Sequence, residues 1–149
     1  MPFRARPASL DDCPMLADLN HQLIEDEGHA NAMSVSQLEA RMRAWLASGE
    51  YRATLFEEGG AVVAYAVFLE TPQEVYLRQF FVERGHRRAG IGRRAIAELF
   101  ASWPRTKRWT VSVLAGNIPA IAFWRAMGYA DYDITMQISV GAHPRSGSG

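Results

Sequence analysis

The segment Leu77 to Phe100, LRQFFVERGHRRAGIGRRAIAELF, constrains the fold more than any other part of the chain, because it asks for three conformations in quick succession. Val75 to Val82 follows Thr71-Pro72, is rich in β-branched and aromatic residues, and predicts a strand. Ile96, Leu99, Phe100 and Trp103 recur at helical offsets and predict an amphipathic helix that stops at Pro104. Between the two, Arg87-Arg88-Ala89-Gly90-Ile91-Gly92 places glycines where the backbone must approach something closely, and aims the first helical amides back into the turn. Strand, glycine turn and helix in that order suit one crossover of a layered α/β fold, and the turn suits a phosphorylated ligand.

The charges around the turn point the same way. Arg84, Arg87, Arg88, Arg93 and Arg94 crowd one short segment of a chain whose formal net charge is +0. Such cations repel one another unless solvated or paired with anions, and guanidinium forks suit phosphate oxygens. Two other phosphate-binding patterns fit less well. Gly90-Ile91-Gly92-Arg93-Arg94-Ala95 matches a dinucleotide fingerprint, but the next strand, Trp109 to Ala115, lacks the acidic residue that would hold a ribose. A nucleoside-triphosphate loop needs G-K-[ST], and Gly92 is followed by Arg93-Arg94.

At 149 residues and 16.6 kDa the chain has one domain's worth of sequence; residues 1–141 are expected to form it and 142–149 a flexible tail. Balanced charge and a pI near 6.9 argue against nucleic acid as a general partner. No apolar run approaches a membrane span, no signal-peptide core opens the chain, and Cys13 is alone, so a cytoplasmic protein without a membrane partner or a metal site is expected.

Along the chain, Phe3 to Pro7 reads as a first strand. Ser9 with Asp12 and Ser34 with Gln37 read as capping boxes opening two helices, the second ending at Ser48-Gly49. The run Glu25 to Ala32 reads as a polar connection between them. Tyr51 to Glu57 and Ala61 to Glu70 form a hairpin about Gly59-Gly60, Val75 to Val82 adds a third antiparallel strand, Trp109 to Leu114 a strand after the glycine loop, Pro119 to Met127 a helix ended by Gly128, and Ile134 to Val140 a final strand. The order β-α-α-β-β-β-α-β-α-β predicts an α/β fold of the mixed, mostly antiparallel kind, with helices on both faces of a twisted sheet.

With these elements in place, the chain resembles the GCN5-related N-acetyltransferase (GNAT) family over nearly its whole length. Arg87-Arg88-Ala89-Gly90-Ile91-Gly92 is similar to that family's R-x-x-G-x-G pyrophosphate turn, and Asn117-Ile-Pro-Ala120-Ile-Ala-Phe123-Trp124-Arg-Ala-Met-Gly128-Tyr129 to its N-x-x-A-x-x-F-Y-x-x-x-G-[FY] motif. The resemblance implies acetyl-coenzyme A as co-substrate and an amine acceptor on a small molecule, peptide or protein, attacked directly in a ternary complex. It implies that Phe81 and Val82 meet the pantetheine arm through backbone groups, that amides from Arg88, Ala89, Gly90, Ile91, Gly92 and Arg93 grip the pyrophosphate, and that Asn117, Ala120, Phe123 and Trp124 line the cofactor. Asn117 read from the residues alone is equally a turn residue, and Ala120, Phe123, Trp124 and Met127 share a helical face that suits a core.

No residue is marked as catalytic by the sequence. Trp124 stands where many relatives carry tyrosine, and an indole has no transferable proton near neutrality. Tyr129 is a candidate substitute acid and Glu74 a candidate base, while His21 and His29 titrate near neutrality without a surrounding motif. The acidic run Glu25, Asp26 and Glu27 with His29 is a candidate pocket wall for a cationic amine. Loss of the tyrosine also motivates an alternative, a catalytically weak acetyl-coenzyme A-binding regulatory module. A homodimer is compatible with everything above.

Overall fold

The computed structural model describes residues 2–28, 31–87, 90–103 and 107–142. Five strands form one sheet in sequence order: β1 Phe3–Pro7, β2 Arg52–Glu58, β3 Ala61–Glu70, β4 Glu74–Val82 and β5 Arg108–Val111. The first four pair antiparallel and β4 pairs with β5 in parallel. Four α-helices complete the fold: α1 Cys13–Glu27, α2 Val35–Ser48, α3 Ile91–Ala101 and α4 Ile118–Ala126.

Both predicted capping boxes are present. The Ser34 hydroxyl accepts from the Gln37 N–H at 3.2 Å while the Gln37 side chain accepts from the Ser34 N–H at 2.9 Å, which occupies two amides that the first turn of α2 leaves unpaired. At Ser9 the Asp12 carboxylate accepts from the Ser9 N–H at 2.8 Å and the Asp12 N–H donates to the Ser9 carbonyl at 3.0 Å, closing a short 3-10 turn that leads into α1. At the β2–β3 hairpin, Gly59 and Gly60 have φ of 61° and 87°, the left-handed geometry of a tight two-residue turn.

Each face of the sheet buries its own core. On one side Cys13, Leu16, Leu19, Met42 and Trp45 of α1 and α2 meet Leu55, Tyr65, Val67 and Phe81. On the other, Ile91, Ala95, Ile96 and Leu99 of α3 and Trp124 of α4 meet Phe56, Ala64, Ala66, Val75 and Leu77. Alternation along β3 and β4 sends successive side chains into these two cores.

Two sequence expectations change. Glu25, Asp26 and Glu27 are the last turn of α1 rather than part of a loop, since the helix continues until Gly28 ends it at φ 62°. The expected final strand is absent: residues 129–139 carry no regular structure, and Ile134, Met136 and Val140 are 80%, 84% and 96% exposed. Alternating Tyr132, Ile134, Met136, Ile138 and Val140 define one apolar face, but a strand also needs a neighbour's hydrogen-bonding edge, which this segment does not meet among the described residues.

Candidate active site

β4 and β5 are joined only at one end. Pairs run from Glu74 with Arg108 to Leu77 with Val111, and beyond them the strands diverge. The phase of the β3–β4 ladder decides what β4 offers to that opening. The Glu83 N–H donates to the Val63 carbonyl at 2.8 Å, and Ala64 stands opposite Val82. Bonded and non-bonded pairs alternate in an antiparallel ladder, so the N–H groups of Phe80 and Val82 point away from β3, into the opening. Consistently, the Val82 carbonyl faces outward and accepts from Arg87 Nε at 3.0 Å.

The N-terminus of α3 lies at the lip of this opening. Gly90 caps it with φ 74°, a conformation that L side chains rarely adopt. The first intrahelical bond there is Arg94 N–H to the Gly90 carbonyl at 3.1 Å, which leaves the N–H groups of Ile91, Gly92 and Arg93 without helical acceptors. A Cβ on Gly92 would lie 3.1 Å from Phe123 Cε1 and 3.6 Å from Val82 Cγ2. The two sequence motifs therefore meet in space: the ring of Phe123 fills the volume that glycine leaves empty at position 92. Arg88 and Ala89 lie outside the described residues.

The second motif acts mostly by packing. The Asn117 side chain accepts from the Ala120 N–H at 3.3 Å and caps α4, in line with the turn reading of the residue. Phe123 stacks on Phe80 with ring centroids 6.0 Å apart, and Trp124 meets Phe80 at 5.5 Å, Phe123 at 4.9 Å and Tyr129 at 5.2 Å, all edge-on. Only 7% of Trp124 is exposed, so its indole holds Phe123 in place from behind.

Neither catalytic candidate is placed for its role. Glu74 sits at the closed end of the β4–β5 pair, where one carboxylate oxygen accepts from the Thr110 hydroxyl and the other lies 3.5 Å from Arg108. Burial pushes the Tyr129 phenol up to about 12, and its hydroxyl is buried without a hydrogen-bond partner. Giving that proton to a thiolate of ordinary pKa near 8.5 is uphill by about 5 kcal/mol.

Glu25 and Asp26 of the acidic wall are already neutralised. Asp26 binds Arg84 at 2.7 Å and also pairs with Arg87, while Glu25 lies 3.3 Å from Arg84 and 3.8 Å from His21. These contacts tie the end of α1 to the turn after β4. His29 lies outside the described residues. Burial alone would raise the Asp26 pKa, but hydrogen bonds from Arg87 and Arg84 outweigh it and the net shift is downward. A depressed carboxylate stabilises the fold above its unfolded pKa near 3.9 and loses that contribution as pH falls through the lower folded value. Asp26→Asn is thus expected to lower the melting temperature at pH 7 and to flatten its decline below about pH 4. Melts across this range test it; parallel curves for both proteins contradict it.

A depression of about 370 Å³ lies away from the opening, between Gly49, Arg52, Phe68, Glu70 and Lys107. Its cations Arg52 and Lys107 are both paired with Glu70, so it adds nothing to the chemistry.

The sequence profile of the acetyltransferase (GNAT) family matches residues 18–129, and the chain belongs to that family. No curated protein matches the sequence. Among solved structures, a possible acetyltransferase from Clostridium difficile 630 superposes with TM-score 0.79 at 17% identity, covering 93% of this chain and 97% of its own. Ribosomal-protein-alanine N-acetyltransferase from Brucella melitensis biovar Abortus 2308 gives 0.73 at 14%, covering 93% and 99%. A predicted acetyltransferase with acetyl-CoA from Clostridium acetobutylicum gives 0.70 at 17%, covering 97% and 100%. The mixed five-stranded sheet with its four helices is the fold of these acetyltransferases.

Proposed function

We propose that the protein is an acetyl-coenzyme A-dependent N-acyltransferase acting on a primary amine in a ternary complex. The observation that carries this reading is the opening beyond Leu77 and Val111, bordered by unpaired amides from both β4 and the first turn of α3. The family and a neighbour solved with acetyl-CoA support the choice of donor. The partial positive charge of a helix N-terminus stabilises a pyrophosphate, and Gly90, Ile91, Gly92 and Arg93 would supply the amides there. Phe80 and Val82 would hold the pantetheine arm through main-chain groups, since those of Phe81, the residue expected beside Val82, are turned to Tyr65 of β3; Ala120, Phe123 and Asn117 would form the facing wall, with Trp124 behind it.

In the reaction the neutral amine attacks the thioester carbonyl, forming the C–N bond as the C–S bond breaks. The Val82 N–H, which faces the opening, would stabilise the charge that develops on the carbonyl oxygen. The amine's surplus proton leaves to water and the departing thiolate is protonated from water, since Glu74 is engaged with Thr110 and Arg108 and Tyr129 is too weak an acid. Losing a dedicated acid or base costs about 10² to 10⁴ in rate each, so slow turnover is expected.

Thiol release from acetyl-coenzyme A, measured against a panel of primary amines, tests this function. Saturable, amine-dependent release is the expected result. Saturable cofactor binding with no release on any amine would instead establish the binding module, and absence of binding would remove both readings.

A further inference from the structure

Nine of the described arginines, at positions 4, 6, 43, 52, 84, 87, 94, 108 and 125, lie within ion-pair distance of a carboxylate. Among the described residues three do not: Arg93, at the first turn of α3, and the pair Arg41 and Arg78. Arg78 is the β4 residue that follows Leu77, the last to pair with β5, and falls in the irregularity where Phe68 faces Leu77 and Val67 faces Gln79. It therefore stands at the root of the opening, where β4 and β5 begin to part. Its guanidinium reaches the α1–α2 side, 5.2 Å from the ring centroid of Trp45 and 5.6 Å from that of Tyr51. Arg41, one turn before Trp45 on α2, lies 4.5 Å from the same indole. Trp45 and Tyr51 are 8% and 9% exposed with ring centroids 4.8 Å apart, a rigid floor beneath both cations.

Two like charges held on one aromatic floor without a counterion repel each other, and Arg41 Nε is buried with no hydrogen-bond partner. Burial, and then the charge of Arg78, draw the Arg41 pKa down. An anion with two coplanar oxygens would relieve both defects through fork geometry. Val82 lies four positions beyond Arg78, about 13 Å along β4. An amine delivered to the Val82 end, on a molecule whose far end meets these arginines, would span most of that distance.

We propose that Arg41 and Arg78 form an acceptor subsite for a carboxylate, so that the substrate is an amine carrying a carboxylate several bonds from its nitrogen. The proposal rests on the acyltransferase reading above and specifies its acceptor. It also reverses the charge expected from the acidic turn Glu25 to Glu27, because Arg84 and Arg87 already neutralise Glu25 and Asp26.

The test compares aminohexanoate with its uncharged amide as acceptors in thiol-release kinetics, alongside calorimetric binding of hexanoate to the protein saturated with coenzyme A. The wild-type protein is expected to prefer the carboxylate in kcat/KM by about 10- to 100-fold, the scale of a hydrogen-bonded charge. In Arg78→Gln and Arg41→Gln that ratio falls toward unity and hexanoate binding is lost, with acetyl-coenzyme A affinity retained; Arg78→Lys restores part of the preference. Equal kcat/KM for the two amines in the wild type, or variants that lower both equally, would overturn the subsite and leave the acyltransferase standing. If no amine turns over, the acyltransferase reading fails by itself, and hexanoate binding that depends on Arg78 still decides whether the carboxylate site exists.

Discussion

Replacing Gly90 with valine is expected to weaken acetyl-coenzyme A binding by at least about 100-fold while the protein still folds, because two or more charge-assisted amide contacts depend on one glycine. The residue has φ 74° and no atom within 4 Å of where a Cβ would sit, so the penalty is conformational rather than steric. An L residue there costs about 1–2 kcal/mol, and a β-branched one more. The cheapest relief is to unwind the first turn of α3, which redirects the amides of Ile91, Gly92 and Arg93. Gly49 provides the control, since it has φ 77° and equally open surroundings at the C-terminus of α2, beside Arg52 and Lys107 at the end of the sheet where β4 and β5 remain paired. Gly49→Val should destabilise to a similar degree and leave affinity unchanged. Calorimetry on both variants, with melts to verify folding, reads the difference. Native affinity in the Gly90 variant would remove the pyrophosphate from this turn.

Trp124→Ala is expected to lower stability by about 3–5 kcal/mol, the range for removing a large aromatic side chain from a core. In a chain of this length that corresponds to a fall in melting temperature of roughly 10–15 °C. The indole touches Phe80, Phe123 and Tyr129, so its loss frees α4 from β4 and lets Phe123 withdraw from Gly92. Cofactor affinity should decline with stability as a consequence. Trp124→Phe keeps part of this packing and should cost clearly less than the alanine variant. Urea unfolding followed by circular dichroism measures both. A stable Trp124→Ala protein with abolished cofactor binding would instead put the indole in direct contact with acetyl-coenzyme A.

The two predictions bear on different kinds of sequence information. Gly90 is legible because a positive φ at a strand-to-helix turn selects glycine from local geometry alone. The same holds for the capping boxes at Ser34 and Ser9 and for the Gly59-Gly60 hairpin, whose partners lie within three residues of one another. Trp124 is legible only as one member of a helical apolar face. Whether such a face meets a core or a ligand depends on which element packs against it, and here Phe80 of β4 does.

Local chemistry and periodicity were thus enough to establish the order of elements from β1 to α4, the two-faced sheet, the glycine turn before α3 and the membership suggested by both motifs. Three matters were decided only when distant segments came together. Glu25 and Asp26 at the end of α1 are consumed by Arg84 and Arg87, the arginines without a carboxylate among the described residues turn out to be Arg41, Arg78 and Arg93, and the alternating segment Tyr132 to Val140 finds no strand edge to join among those residues. Charge pairing and strand pairing are relations between residues tens of positions apart. A pattern along one segment specifies what that segment requires, and the tertiary fold alone determines whether another part of the chain supplies it.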